Sequence, residues 1–127
     1  LYNNATILLV EDNSSVRAFV KKALEKYGHL VLTAQDPLLA LKFIERHQHS
    51  LDLIISDVIM KYMNGYELMQ TVKQKYPWLP FMFISGYTKI NLKEKLDIDP
   101  EIQFIQKPFN SEDIARKVSA ILQQSVE

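Results

Sequence analysis

The sequence predicts an α/β domain built on a doubly wound parallel sheet with helices on both faces. Three observations carry that prediction. Five short apolar runs are rich in β-branched and aromatic residues, helically spaced segments separate them, and no polar linker divides the chain. The runs are Thr6–Val10, Leu30–Ala34, Leu53–Ser56, Phe81–Ile84 and Ile102–Ile105. They are apolar on both sides, as strands covered by helices are. Strand and helix alternate along the chain, so right-handed crossovers should join neighbouring strands.

The first helix carries Val16, Phe19, Val20, Ala23, Leu24 and Tyr27 on one face, with Asp12 or Asn13 placed to cap its start. The second carries Leu38, Leu41, Ile44 and, less regularly, Leu39, and Pro37 opens it at a first-turn position. Tyr66, Leu68, Met69 and Val72 form a third stripe that must end before Pro77. Ile114, Ala115, Val118, Ile121 and Leu122 form the last, with Asn110 or Ser111 as cap and Asp113 in the first turn. The fourth helix, within 88–96, has the weakest pattern. Ile90, Leu92 and Leu96 are soon interrupted by "LDIDPEI".

Bulk properties narrow the function. The 127 residues suit one domain, residues 1–127 with a core of about 5–124. Fifteen Lys and Arg balance fifteen Asp and Glu, so no basic field calls for nucleic acid or an anionic membrane as a direct partner. Cysteine is absent, which excludes disulfides and thiolate metal sites and is compatible with a reducing cytoplasm. No apolar stretch reaches the roughly 20 residues of a membrane span. The first residue is Leu rather than Met, which fits a domain excised from a longer protein and is compatible with a membrane-anchored parent.

Doubly wound sheets bind ligands beyond the carboxyl ends of their strands. Glu11 and Asp12 follow the first run, Asp57 the third, Ser85 and Gly86 the fourth, and Lys107 and Pro108 the fifth. Each has an ordinary reading alone: a capping pair, a turn aspartate, a common Ser-Gly turn, a surface lysine. Together they place three carboxylates, a hydroxyl and an ammonium at one sheet edge, a plausible site for a hard cation and a phosphoryl group. Without a bound cation and Lys107, repulsion among Glu11, Asp12 and Asp57 should raise at least one of their pKa values.

At family spacing, "ILLVEDN", "LIISDVIM" followed by "MNGYEL", "FMFISGY" and "FIQKPF" resemble the receiver domain of two-component response regulators and hybrid sensor histidine kinases, over about residues 5–124. The resemblance implies a five-stranded sheet of flavodoxin-like order 2-1-3-4-5. It implies a domain that catalyses its own phosphorylation and dephosphorylation. Asp57 would be the phospho-acceptor, and Glu11, Asp12, Asp57 and the main-chain carbonyl of Ile59 would hold Mg²⁺. Ser85 would bond the phosphoryl group, Lys107 would neutralise it, a cis bond would join Lys107 to Pro108, and Phe104 would turn as the aromatic switch. The implied partners are a sensor histidine kinase or histidine phosphotransfer domain and a downstream effector or the chain's own kinase core. A weak dimer is also compatible, and the expected location is the cytoplasm.

The chain departs from the family pattern at three places. Met60-Lys61 replaces a frequent Met-Pro, which should loosen the loop after Asp57 without removing a catalytic group. "DIDPEI" replaces a frequent Gly-Ala before the fifth strand, which should shorten the fourth helix. Ile59 and Tyr87 flank the path of a hydrolytic water and should lengthen the phospho-aspartate lifetime. Two rivals stand beside this reading: an unphosphorylated pseudo-receiver acting as an interaction module, and a dehalogenase-type phosphatase. The second wants an acid two residues after its nucleophile, where this chain has Ile59.

Overall fold

The computed structural model describes residues 4–99 and 102–125. Strands β1 (Thr6–Val10), β2 (Leu30–Ala34), β3 (Leu53–Asp57), β4 (Phe81–Ser85) and β5 (Phe104–Gln106) form one parallel sheet in the order β2-β1-β3-β4-β5. Helices α1 (Ser14–Glu25), α2 (Pro37–His47), α3 (Gly65–Lys75), α4 (Lys89–Leu96) and α5 (Ser111–Ser125) alternate with them. This is the fold class that the sequence predicts and the strand order that the family resemblance implies.

Alternation along each strand divides the core in two. Ile7 and Leu9 of β1, Leu53 and Ile55 of β3, and Met82 and Ile84 of β4 pack under α1 and α5. Leu8, Val10, Ile54, Phe81 and Phe83 face the other way, under α2, α3 and α4. β1, β3 and β4 lie inside the sheet, so both their faces are closed from water, which is why they read as unbroken apolar runs.

Local signals set the helix starts. Asn13, not Asp12, caps α1, accepting the Val16 N–H at 3.0 Å. Asp36 caps α2 ahead of Pro37, and Thr88 caps α4. Asn64 and Glu67 form a reciprocal capping box on α3. Asn110, not Ser111, caps α5, accepting from the Asp113 N–H at 2.8 Å. α4 has eight residues, short as the sequence suggests; Asp97 ends it in the left-handed region at φ 52°, and the Ile98 N–H returns to the Leu92 carbonyl at 3.0 Å.

Three expectations need correction. β5 is not Ile102–Ile105 but Phe104–Gln106. It is an edge strand that pairs only with β4, from Phe83↔Phe104 to Ser85↔Gln106, so its one neighbour fixes its bounds. On α1, Phe19 is 45% exposed at the rim, touching Phe109, while Val20, Ala23 and Leu24 fill the core. On α2, Leu38 and Leu39 face outward, and Pro37, Ala40 and Ile44 form the buried face.

These placements separate two truncations on one helix. Leu24→Ala should cost about 2–5 kcal/mol in urea unfolding, because a fully buried side chain leaves a cavity. Phe19→Ala should cost about 1 kcal/mol or less, since much of the ring already meets water. Equal losses would contradict the helix orientation.

Candidate acidic site at the carboxyl edge of the sheet

The pairing Val10↔Ser56 places the ends of β1 and β3 side by side, so the residues that follow Val10 meet Asp57. Glu11, Asp12 and Asp57 each present a carboxylate oxygen, and these oxygens lie within 4.8 Å of one another. Glu11 is fully buried, Asp57 is 8% exposed, and Asp12 faces water. Because Asn13 does the capping, the Asp12 carboxylate is left for the cluster.

Several bonds fix this edge. Glu11 Oε2 accepts the Asn13 N–H at 3.0 Å, and Arg17 Nη1 donates to the Glu11 carbonyl at 2.8 Å. The Ile59 N–H approaches Asp57 Oδ1 at 3.4 Å, while the Ile59 side chain stands 48% exposed beside it. Lys107 Nζ lies 3.4 Å from Asp57 Oδ2, delivered by the end of β5. The Lys107 N–H donates to the Ser85 carbonyl at 2.8 Å, and the Lys107–Pro108 peptide bond is cis, as the resemblance implies.

Ser85 is buried at the end of β4, but its hydroxyl does not face the carboxylates. It accepts the Tyr87 N–H at 2.8 Å and donates to the Tyr87 carbonyl at 3.1 Å. Phe104 is half-buried on β5, paired with Phe83 and packed against the core under α2, α3 and α4. Sequence reading places Glu11, Asp12, Asp57, Ser85 and Lys107 at this edge, but it does not see that Ser85 is locally engaged.

It also misses Gly65. A Cβ there would stand 2.3 Å from the Asp57 carbonyl oxygen and 3.0 Å from Ser56 Oγ, so only glycine permits this approach. The Gly65 N–H donates to the Val58 carbonyl at 2.8 Å, which closes the loop back onto the strand that carries Asp57. Ser56 Oγ adds a bond to the Asp57 carbonyl at 2.9 Å and reaches Met60 Sδ at 3.8 Å. The loop is thus tied at several points despite lacking proline after Met60. The motif "MNGYEL", with one of only three glycines in the chain, was the available signal.

The donor set suits a hard divalent cation, which prefers carboxylate oxygens. Among the described residues no N–H or O–H donor reaches the buried Glu11 Oε1, whose polar neighbour is the Asp57 carboxylate, as an oxygen open to an ion would be. Glu11 is also the group whose pKa rises. Loss of water pushes its carboxyl from 4.5 to about 7, against the Asn13 N–H; the Asp57 charge adds to the rise and Lys107 opposes it.

The folded chain accordingly holds the Glu11 proton more tightly than the unfolded chain does. The resulting stabilisation is complete below about pH 4.5 and disappears as pH rises through about 7. With divalent cations chelated, Glu11→Gln should gain stability over wild type across that interval, on the order of 3 kcal/mol. Melting curves of both proteins against pH check this; a difference that does not change with pH would contradict it.

Comparisons with known proteins agree with this geometry. The pattern of the response regulator receiver domain matches residues 7–119. The chain is 33% identical to sensor kinase CckA of Brucella abortus over 98% of its own length and 13% of that protein. It is 31% identical to the response regulator receiver protein CpdR of the same organism, over 91% of this chain and 95% of that one. The structure superposes on chemotaxis response regulator CheY4 of Vibrio cholerae with a TM-score of 0.82 and 29% identity, covering 94% of this chain and 99% of that one. With the order β2-β1-β3-β4-β5 and the acidic edge in place, the chain belongs to the response regulator receiver domain family of two-component signalling.

Proposed function

We propose that this receiver domain accepts a phosphoryl group on Asp57 from a phosphohistidine of a sensor kinase or histidine phosphotransfer domain, with Mg²⁺ as cofactor. The observation that carries this is the convergence on Asp57: Glu11 and Asp12 oxygens within 4.8 Å and the Lys107 ammonium at 3.4 Å. Kinases and a receiver protein among its relatives support the same class of donor.

An Asp57 carboxylate oxygen attacks phosphorus as the P–N bond to imidazole breaks, and the leaving nitrogen takes up a proton. The new P–O bond makes an acyl phosphate. Such transfer depends mostly on positioning and charge neutralisation. Lys107, held beside Asp57 Oδ2, supplies a fixed positive charge to the transferred oxygens. Glu11, Asp12, Asp57 and the Ile59 carbonyl would hold Mg²⁺, which when bound offsets the acidic cluster and the phosphoryl charge.

The output step is a change of partner for Ser85. Its hydroxyl would leave the Tyr87 backbone, bonded at 2.8 and 3.1 Å, for a phosphoryl oxygen. Movement there gives the half-buried Phe104 room to turn, and the surface of α4, β5 and α5 changes with it. The shift is as large as the difference in phosphoryl binding between the two arrangements and no larger. Phe104 has no hydroxyl, so it can fill space but cannot add a bond of its own.

Labelling with acetyl phosphate should require Mg²⁺ and Asp57. Equal labelling of wild type and Asp57→Asn would exclude the acceptor assignment, and no labelling of wild type by acetyl phosphate or a phosphohistidine donor would favour the pseudo-receiver.

The loop beside the acceptor should set the lifetime of the product. Ile59 leaves a large exposed side chain where hydrolytic water must pass. Ile59→Asn should speed loss of the label several-fold, measured as phospho-aspartate decay in a chase without donor. Decay as slow as wild type would show that Ile59 does not guard the site.

A further inference from the structure

The segment "KYMNG" is one of the places where the chain departs from the family pattern, and it holds a non-glycine residue at positive φ. The Met63 N–H donates to the Lys61 carbonyl at 2.9 Å, and Tyr62 between them has φ 75°. This three-residue closure with positive φ is the rare, strained form of γ-turn. A bulky L-residue in that region is an outlier that the surrounding structure must enforce.

Among the described residues the Tyr62 side chain makes no hydrogen bond, ion pair or ring contact that would favour tyrosine here. The ring is 75% exposed, more than any other large apolar side chain among the described residues. Glycine or asparagine would suit this backbone better. The turn is also placed firmly. Its loop leaves Asp57 on one side and returns on the other at Gly65, where a Cβ would touch the Asp57 carbonyl oxygen at 2.3 Å. Tyr62 is thus at the tip of a short loop with both ends against the residue that carries the site.

Asp57 is itself only 8% exposed. A macromolecule that delivers a group to it must insert one side chain while its surrounding surface lies over the rim. Ile59 and Tyr62 are the large apolar side chains that this loop offers there, 48% and 75% exposed.

We propose that Tyr62 is a specificity-determining contact for the phosphodonor protein: its ring packs on the apolar surface around the partner's phosphohistidine. The proposal rests on the reading of Asp57 as a phosphohistidine acceptor. The γ-turn holds the ring outward before the partner arrives, so little freedom is lost on docking.

The test compares two donors on wild type, Tyr62→Phe and Tyr62→Asn. One is phosphoramidate, too small to reach the rim contact. The other is the fastest donor from a panel of histidine kinase cores autophosphorylated with ATP. Tyr62→Asn should lower kcat/KM for the kinase core about tenfold, mainly through KM, as loss of an aromatic anchor does. Labelling by phosphoramidate should not change, Tyr62→Phe should behave as wild type with both donors, and Tyr62→Asn should melt no lower than wild type. Equal loss with both donors, or a lowered melting temperature, would mean that Tyr62 only shapes the loop and would overturn the proposal. Unchanged transfer from the kinase core would overturn it as well, leaving the acceptor reading intact. Labelling of wild type by phosphoramidate but by no kinase core would overturn this proposal and leave Asp57 the acceptor. If neither donor labels wild type above the Asp57→Asn background, the acceptor reading itself fails, and this proposal with it.

Discussion

Like charges held at close range in a dry place are the constraint on which this domain is built. Glu11 is fully buried and Asp57 nearly so, and their oxygens and that of Asp12 gather within 4.8 Å. The carboxylates do not attract one another; the register of β1 against β3 brings them together, and that register is fixed by apolar side chains on both sheet faces. Core packing therefore sustains an electrostatic arrangement that would otherwise disperse. Partial relief comes from the Asn13 N–H on Glu11, the Lys107 ammonium near Asp57 and the raised pKa of Glu11. Each relief is of the kind a cation or phosphoryl group could modify.

The two sheet faces are not equally firm near this edge. Toward α1 and α5, long helices bring several buried side chains each. Across the sheet, α4 has eight residues, and Leu92 is its one buried residue. β5 beside it is three residues long and pairs with a single neighbour. Elements with few buried apolar contacts open and shift most readily. Ser85 and Phe104 lie at the junction of the firm β4 and this lightly held side, so a change at Asp57 has a compliant region to act on.

The central strands were legible in the sequence because burial on both faces leaves unbroken runs of Ile, Leu, Val and Phe. The edge strand was less so: β5 begins two residues later than its apolar run, because one pairing partner and not hydrophobicity decides where it starts. Helix positions were legible, but the exact inward face was not. Phe19, Leu38 and Leu39 fit helical spacing and yet lie at the rim, since a periodic stripe cannot tell a core position from its border. At the site, the residue types Glu11, Asp12, Asp57, Ser85 and Lys107 could be read from the strand ends. The orphaned Glu11 oxygen, the Ser85 hydroxyl taken up by the Tyr87 backbone and the close approach of Gly65 could not, because they depend on the folded path of the backbone and not on residue type.

The loop after Asp57 shows how residue type and backbone shape can agree or conflict within four residues. At Gly65 they agree: the backbone passes where no side chain fits, and the chain has none. At Tyr62 they conflict, since a positive φ that favours glycine is occupied by a large, exposed ring. The capping box on α3 and the Gly65–Val58 bond hold the loop's far end, so the strained turn cannot relax by fraying from α3. Natural folds tolerate such conflicts chiefly where function lies outside local stability. The same rim holds Ile59, whose amide touches the Asp57 carboxylate while its side chain faces water. One short loop thus joins the inside of the site, through its backbone, to the surface a partner would meet, through its side chains.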